Sequence, residues 1–141
     1  MRLWFIAHKF KGDNIMTIHE GSTPQPGHQV PEGKQTSLGL YVTAKEAYEM
    51  WKAEPSRVNI LDVRTPEEYV FVGHPKMARN IPLVFVKRQW DADSNQFVME
   101  ANPDFISRLK GLHTSTDTLL VMCRSGGRGA KASTRLPKRG L

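Results

Sequence analysis

From Leu38 onward the apolar positions fall into short blocks separated by capping and turn residues. Leu40-Tyr41-Val42 reads as a short strand, and Thr43-Ala44-Lys45-Glu46 follows with the spacing of a capping box. Ala44, Ala47, Tyr48 and Trp51 recur at i, i+3, i+4 and i+7, the apolar stripe of a helix that Pro55 ends. Val58 to Arg64 is the next strand. Thr65-Pro66-Glu67-Glu68 then places a Thr cap, a proline at the first helical position and a glutamate at the third. Asp62 and Arg64 thereby lie at the C-terminal end of a strand, where open α/β sheets bind ligands. Tyr69, Phe71 and Val72 continue apolar to a turn at Gly73-His74-Pro75, and Arg79-Asn80-Ile81-Pro82 is a strand whose proline assigns it to a sheet edge. Asn102-Pro103-Asp104 caps a helix bearing Phe105, Ile106, Leu109 and Leu112, with Gly111 near its end. Leu119-Leu120-Val121-Met122 shows no alternation, the mark of a strand covered on both faces. Strands and helices that alternate in this way predict an α/β fold with a parallel sheet.

The two ends of the chain break the pattern. His19 to Ser37 contains three glycines and three prolines among polar residues and a single aliphatic, Val30. Such a stretch buries too little to offset its ordering entropy. Residues 1–37 are therefore expected to be a poorly ordered N-terminal extension or linker, and 38–141 the domain. Leu3 to Ala7 is apolar but too short for a signal-peptide core, and no run approaches the roughly 20 residues that cross a bilayer. A cytoplasmic protein without membrane contact is the default. At the other end, Ser133 to Leu141 is polar and basic and contains Pro137, a residue that costs a helix interior about 3 kcal/mol.

Composition narrows the chemistry. With 141 residues, 39% of them apolar, the chain supports one domain with a real core. Its lone cysteine excludes an internal disulfide and any CxxC metal site, and the five histidines have no metal-ligand spacing. Asp91-Ala92-Asp93-Ser94-Asn95 resembles the start of a calcium loop, but Gln96 stands where the sharp turn needs glycine and Asn102 where a bidentate glutamate belongs. It reads as a polar surface turn, so no metal or cofactor is expected. The net charge of +6 is matched by six cations after Cys123, namely Arg124, Arg128, Lys131, Arg135, Lys138 and Arg139, with no acid among them. That bias favours anionic ligands; no aromatic residue is interleaved to stack on bases, which weighs against nucleic acid.

The remaining chemistry concentrates in Cys123-Arg124-Ser125-Gly126-Gly127-Arg128. The small residues let several backbone N–H groups converge, and a helix opening after Arg128 would add partial positive charge there. A thiol in that setting is biased toward thiolate and is a candidate nucleophile. From spacing alone, a merely buried strand-end cysteine is an equal alternative.

This loop resembles the active-site loop of the rhodanese family of sulfurtransferases. Leu61-Asp62-Val63-Arg64-Thr65-Pro66-Glu67-Glu68-Tyr69 resembles a second family segment, and Gly73-His74 with Ala78-Arg79-Asn80-Ile81-Pro82 a third. The resemblance implies an open parallel sheet flanked by helices. It implies sulfur transfer from thiosulfate or a similar donor, through a persulfide on Cys123, to cyanide or a thiol. Arg124, Ser125, Gly126, Gly127 and Arg128 would bind the donor, while Asp62 and Arg64 would support the loop. Four residues between Cys123 and Arg128, against five in the tyrosine phosphatases of related architecture, argue against phosphatase activity. A rhodanese domain normally continues past the loop with a full helix, another strand and a last helix. Here the expectation is a domain whose final strand and helix are missing, leaving Leu40-Tyr41-Val42 without a partner and the cysteine strand with an open edge. The alternative function that follows is a non-catalytic truncated product, serving as a sulfur carrier or binding module.

Overall fold

The structure, a computed structural model, describes residues 4–9, 41–111, 118–124, 128–129 and 131–132. The complete strands and α-helices among the described residues follow in the order β1 (Trp4–Lys9), β2 (Tyr41–Val42), α1 (Ala44–Ala53), β3 (Val58–Asp62), β4 (Ala78–Asn80), β5 (Val84–Asp91), β6 (Gln96–Ala101), α2 (Phe105–Lys110) and β7 (Thr118–Cys123). Five strands form one sheet in the order β2-β1-β7-β3-β4; β5 and β6 form a separate hairpin. The core of the sheet is parallel, β7 against β3 and β3 against β4.

The period-2 geometry of β3 and β7 divides the core into two layers. Leu119, Val121 and Cys123 join Leu61, Val63, Phe105 and Leu109 on the α2 side. Leu120 and Met122 join Phe5, Ala47, Val58 and Ile60 on the α1 side. This two-sided cover is why β7 is a continuous apolar run.

The expectation of an open edge on the cysteine strand does not hold. β1 lies between β2 and β7 and pairs antiparallel with both, from Trp4 opposite Cys123 to Lys9 opposite Thr118. The described sheet is therefore mixed rather than wholly parallel, and residues 4–9 of the supposed extension belong to it. The physical reason is in the sequence: Trp4-Phe5-Ile6-Ala7 has the same unbroken apolar character as β7, which suits a strand with a neighbour on each edge. Phe5 is buried beside Leu120 and Met122. The rest of the extension (1–3 and 10–37), the first residues of the expected domain (38–40) and the basic tail with Pro137 lie outside the described residues.

Local chemistry explains the other elements. Thr43 and Glu46 form the expected capping box, with Thr43 N–H donating to Glu46 and Glu46 N–H to Thr43 Oγ1. On α1 the buried stripe is narrower than the spacing predicts: Ala47 is buried and Met50 and Trp51 are partly packed, while Ala44 and Tyr48 face solvent. After β3, Thr65 and Glu68 form a second reciprocal cap, but the following turn is a π-helical segment, Glu68–Val72. The wider turn swings Val70, Phe71 and Val72 outward, so Phe71 and Val72 do not serve the core. Tyr69 instead turns in: its hydroxyl donates to the Ala78 carbonyl, and its ring stacks on His74 at 3.4 Å. β4 is an edge strand, as its proline-terminated pattern predicts. Asp91–Asn95 is the tip of the β5–β6 hairpin, with Asn95 at positive φ closing the turn. Among the described residues no helix is long and apolar enough to cross a membrane.

Candidate active site

β7 delivers Cys123 as its last residue, at the C-terminal edge of the parallel strands. The cysteine is buried, and its Sγ accepts a hydrogen bond from the Gly129 N–H at 3.2 Å. Arg128 and Gly129 are helical, so this donor is a backbone group at the start of the turn after the loop. Ser125, Gly126 and Gly127, expected to form the anion nest, lie outside the described residues.

The next neighbours come from the end of β3. The side chains of Asp62 and Arg64 are buried, and Arg64 Nη2 donates to Asp62 at 2.6 Å and to the Gly73 carbonyl at 2.7 Å. Asp62 also accepts from the Arg64 N–H at 3.0 Å. Asn80 donates to the carbonyls of Asp62 and Arg64, tying β4 to this corner. Val63 N–H donates to the Met122 carbonyl, so the Asp62–Arg64 corner is stitched directly to the residue before the cysteine. Burying both charges is tolerated because each is paired and further hydrogen-bonded. Arg64 Nη1 is the exception, a buried donor with no partner among the described residues.

Glu68 is the functional residue that sequence reasoning assigned only to a local cap. Both of its carboxylate oxygens receive the Arg128 guanidinium, Oε1 at 2.8 Å from Nη2 and Oε2 from Nη1. Arg128 holds the Glu68 carboxyl down to about 2, outweighing the opposing effect of burial, and Thr65 adds to the lowering. The same hydrogen bond raises the Arg128 guanidinium above its ordinary value. The pair bolts the first residue of the post-loop turn to the cap that follows β3. Only the capping-box spacing Thr65-x-x-Glu68 hinted that this carboxylate is held in place. Arg124, in contrast, is exposed and makes no ion pair among the described residues.

Beside the cysteine opens a cleft of about 680 Å³, lined by Arg124, Arg128 and Glu68 on the body and by Val86, Phe97 and Met99 on the hairpin. Cys123 is adjacent in sequence to one lining residue but is itself covered. The arrangement brings together a buried thiol, a backbone N–H on its sulfur and the Arg128 guanidinium, which feels the charge of the cysteine.

Comparison with known proteins agrees with this geometry. The model of the rhodanese-like domain matches residues 43–141. Thiosulfate sulfurtransferase 16, chloroplastic, of Arabidopsis thaliana is 38% identical over 76 residues, 54% of this chain and 56% of that protein. Protein HIGH ARSENIC CONTENT 1, mitochondrial, from the same plant is 36% identical over 80 residues, covering 57% and 42%. Senescence-associated protein DIN1 of Raphanus sativus is 34% identical over 76 residues, covering 54% and 37%. The chain thus spans about half, or less, of the length of these curated relatives, and the organelle names among them lend no support to a cytoplasmic assignment. No solved structure matches the chain.

Proposed function

We propose, from the premise that this chain belongs to the rhodanese-like domain family, that it is a sulfurtransferase working through a persulfide on Cys123. In the first half-reaction the Cys123 thiolate attacks the outer sulfur of thiosulfate or a similar donor. A sulfur–sulfur bond forms at Sγ, the donor's own sulfur–sulfur bond breaks, and sulfite leaves with the electron pair. In the second, cyanide or a thiolate attacks the outer sulfur of the persulfide, and the Cys123 thiolate is regenerated. Sulfur moves as a neutral atom, so no cofactor is required.

The observation that carries this reading is the Gly129 N–H on Cys123 Sγ. A backbone donor already aimed at the sulfur costs no reorganisation as negative charge moves on and off that atom during the reaction. Burial of the thiol shields a persulfide from side reactions. In this reading Arg124 meets the anionic donor, with the amides of Ser125, Gly126 and Gly127 cradling the transferred sulfur. Arg128, held by Glu68, acts by aligning Gly129 as well as through its charge. Asp62 and Arg64 support the corner on which the loop rests. The feature that suggested a non-catalytic product, an unflanked cysteine strand, is absent from the described sheet, where β1 flanks β7.

Mass spectrometry after thiosulfate treatment tests the proposal. The folded chain should gain one sulfur at Cys123 and lose it on adding cyanide, with thiocyanate released; Cys123→Ser should do neither. A folded chain that gains no sulfur refutes it.

A further inference from the structure

We propose that the π-helical turn after β3 is a peripheral membrane-docking site: Val70, Phe71 and Val72 enter the headgroup boundary of an anionic bilayer, and the cations that follow them meet its lipid phosphates.

Val70, Phe71 and Val72 keep 66%, 86% and 52% of their exposure, and among the described residues no other consecutive large apolar side chains stand in solvent. The exposure is not the looseness of a frayed loop. The segment is pinned at both ends: Glu68 holds Arg128, the Tyr69 hydroxyl donates to the Ala78 carbonyl, and the Gly73 carbonyl accepts from buried Arg64 at 2.7 Å. Gly73 stands at φ 93°, a conformation open to glycine, and so lets the chain turn directly after Val72. A held apolar tip is unfavourable in water until something covers it, and contiguous exposed apolar residues mark contact sites.

Charge and area choose what covers it. From Tyr69 to Trp90 the chain carries Lys76, Arg79, Lys87 and Arg88 and no acid. Lys76 and Arg79, the two of these closest to the tip in sequence, are exposed and make no ion pair among the described residues; His74 is exposed as well. Of the acids just before the tip, Glu68 is paired with Arg128 and Glu67 lines the cleft, which none of the tip residues does. An apolar tip followed by unpaired cations matches the layering of a bilayer surface, acyl chains beneath anionic phosphates. A protein partner fits less well. A stable protein interface covers about 800 Å² on each side, well beyond what three side chains present when the one aromatic among them offers roughly 150–250 Å². The expectation of no membrane contact rested on the lack of a spanning run, and a peripheral site needs none.

The test floats the full chain with vesicles of phosphatidylcholine alone and of phosphatidylcholine mixed with phosphatidylglycerol. Binding to the anionic vesicles should exceed binding to the neutral ones by about tenfold or more and weaken with added salt. Phe71→Ser and Lys76→Glu change exposed side chains and should each cut that binding by about fivefold or more. Arg135, Lys138 and Arg139 would also draw the chain to anionic lipid, so insertion is read directly. In Phe71→Trp, the fluorescence beyond that of the native chain should shift to the blue on the anionic vesicles and be quenched by brominated phosphatidylcholine. Equal affinity for neutral vesicles, binding unchanged in Phe71→Ser, or no quenching in Phe71→Trp overturns the inference. A dimer in light scattering that Phe71→Ser dissociates would assign the tip to a second copy and overturn it as well. None of these readouts depends on sulfur transfer.

Discussion

Replacing Glu68 by Gln removes one charge and keeps the size and the acceptor oxygen that serves Thr65. The loss is set by how the Glu68–Arg128 pair sits. Its two side chains retain 21% and 23% of their exposure, between a surface pair and a buried one. Surface pairs contribute about 0–1 kcal/mol, whereas breaking a buried pair costs about 3–5 kcal/mol. The pair is bidentate, but solvent reaches it, so a destabilisation of about 1–2 kcal/mol follows at pH 7. Urea denaturation of the native chain, Glu68→Gln, Arg128→Gln and the double variant should return a coupling energy of that size. The pH dependence has a definite sign. The carboxyl stands at about 2 in the folded chain against an ordinary 4.5, so its contribution is complete above the ordinary value and fades as pH falls toward 2. The stability gap between native and Glu68→Gln should be level from pH 6 to 8 and shrink by roughly half or more between pH 5 and 3. Because Arg128 precedes the Gly129 donor, kcat for sulfur transfer should fall with the pair. A coupling energy below about 0.3 kcal/mol, or a gap that does not change with pH, would refute this account of how the loop is anchored.

Three further outcomes follow from the fold. Asp62→Asn leaves the Arg64 guanidinium buried without its counter-charge and should cost about 3–5 kcal/mol in chemical denaturation. Phe5→Ala should also cost about 3–5 kcal/mol, because Phe5 is 3% exposed and packs in the α1-side core; a change near zero would show that β1 does not dock as described. Phe71→Ser, at 86% exposure on the π-helical turn, should stay within about 0.5 kcal/mol of the native chain in the same assay.

What could be read directly in the sequence was chemistry packed into short spans. The Thr43 cap, the Thr65 cap and the double-covered run of β7 that ends at Cys123 each carry their signal within ten residues. What escaped needed partners far away in the chain. Trp4 to Ala7 looks like any short apolar run until β7 is known to lack a neighbour on one side. Glu68 is fully accounted for by Thr65 three residues back, so nothing local announces Arg128. The hairpin was hidden for another reason: Lys87 and Arg88 interrupt β5 where the bulge absorbs them, which breaks the alternation that identifies a strand. The Asp62–Arg64 corner was placed at the strand end from sequence, but the stitching by Asn80 was not.

The position of β1 also sets an order of assembly. Its main partner β7 is the last strand of the described sheet, so Trp4 meets Cys123 only after more than a hundred intervening residues have been made. β3 and β4, joined by a short connection, can pair early; the β1–β7 ladder closes across almost the full sequence, the kind of contact that slows folding most. During synthesis β1 can pair with β2 but must wait for β7, and that docking completes the support of the cysteine strand. Acquisition of a competent sulfur site should therefore coincide with the slowest folding phase, not with the first collapse.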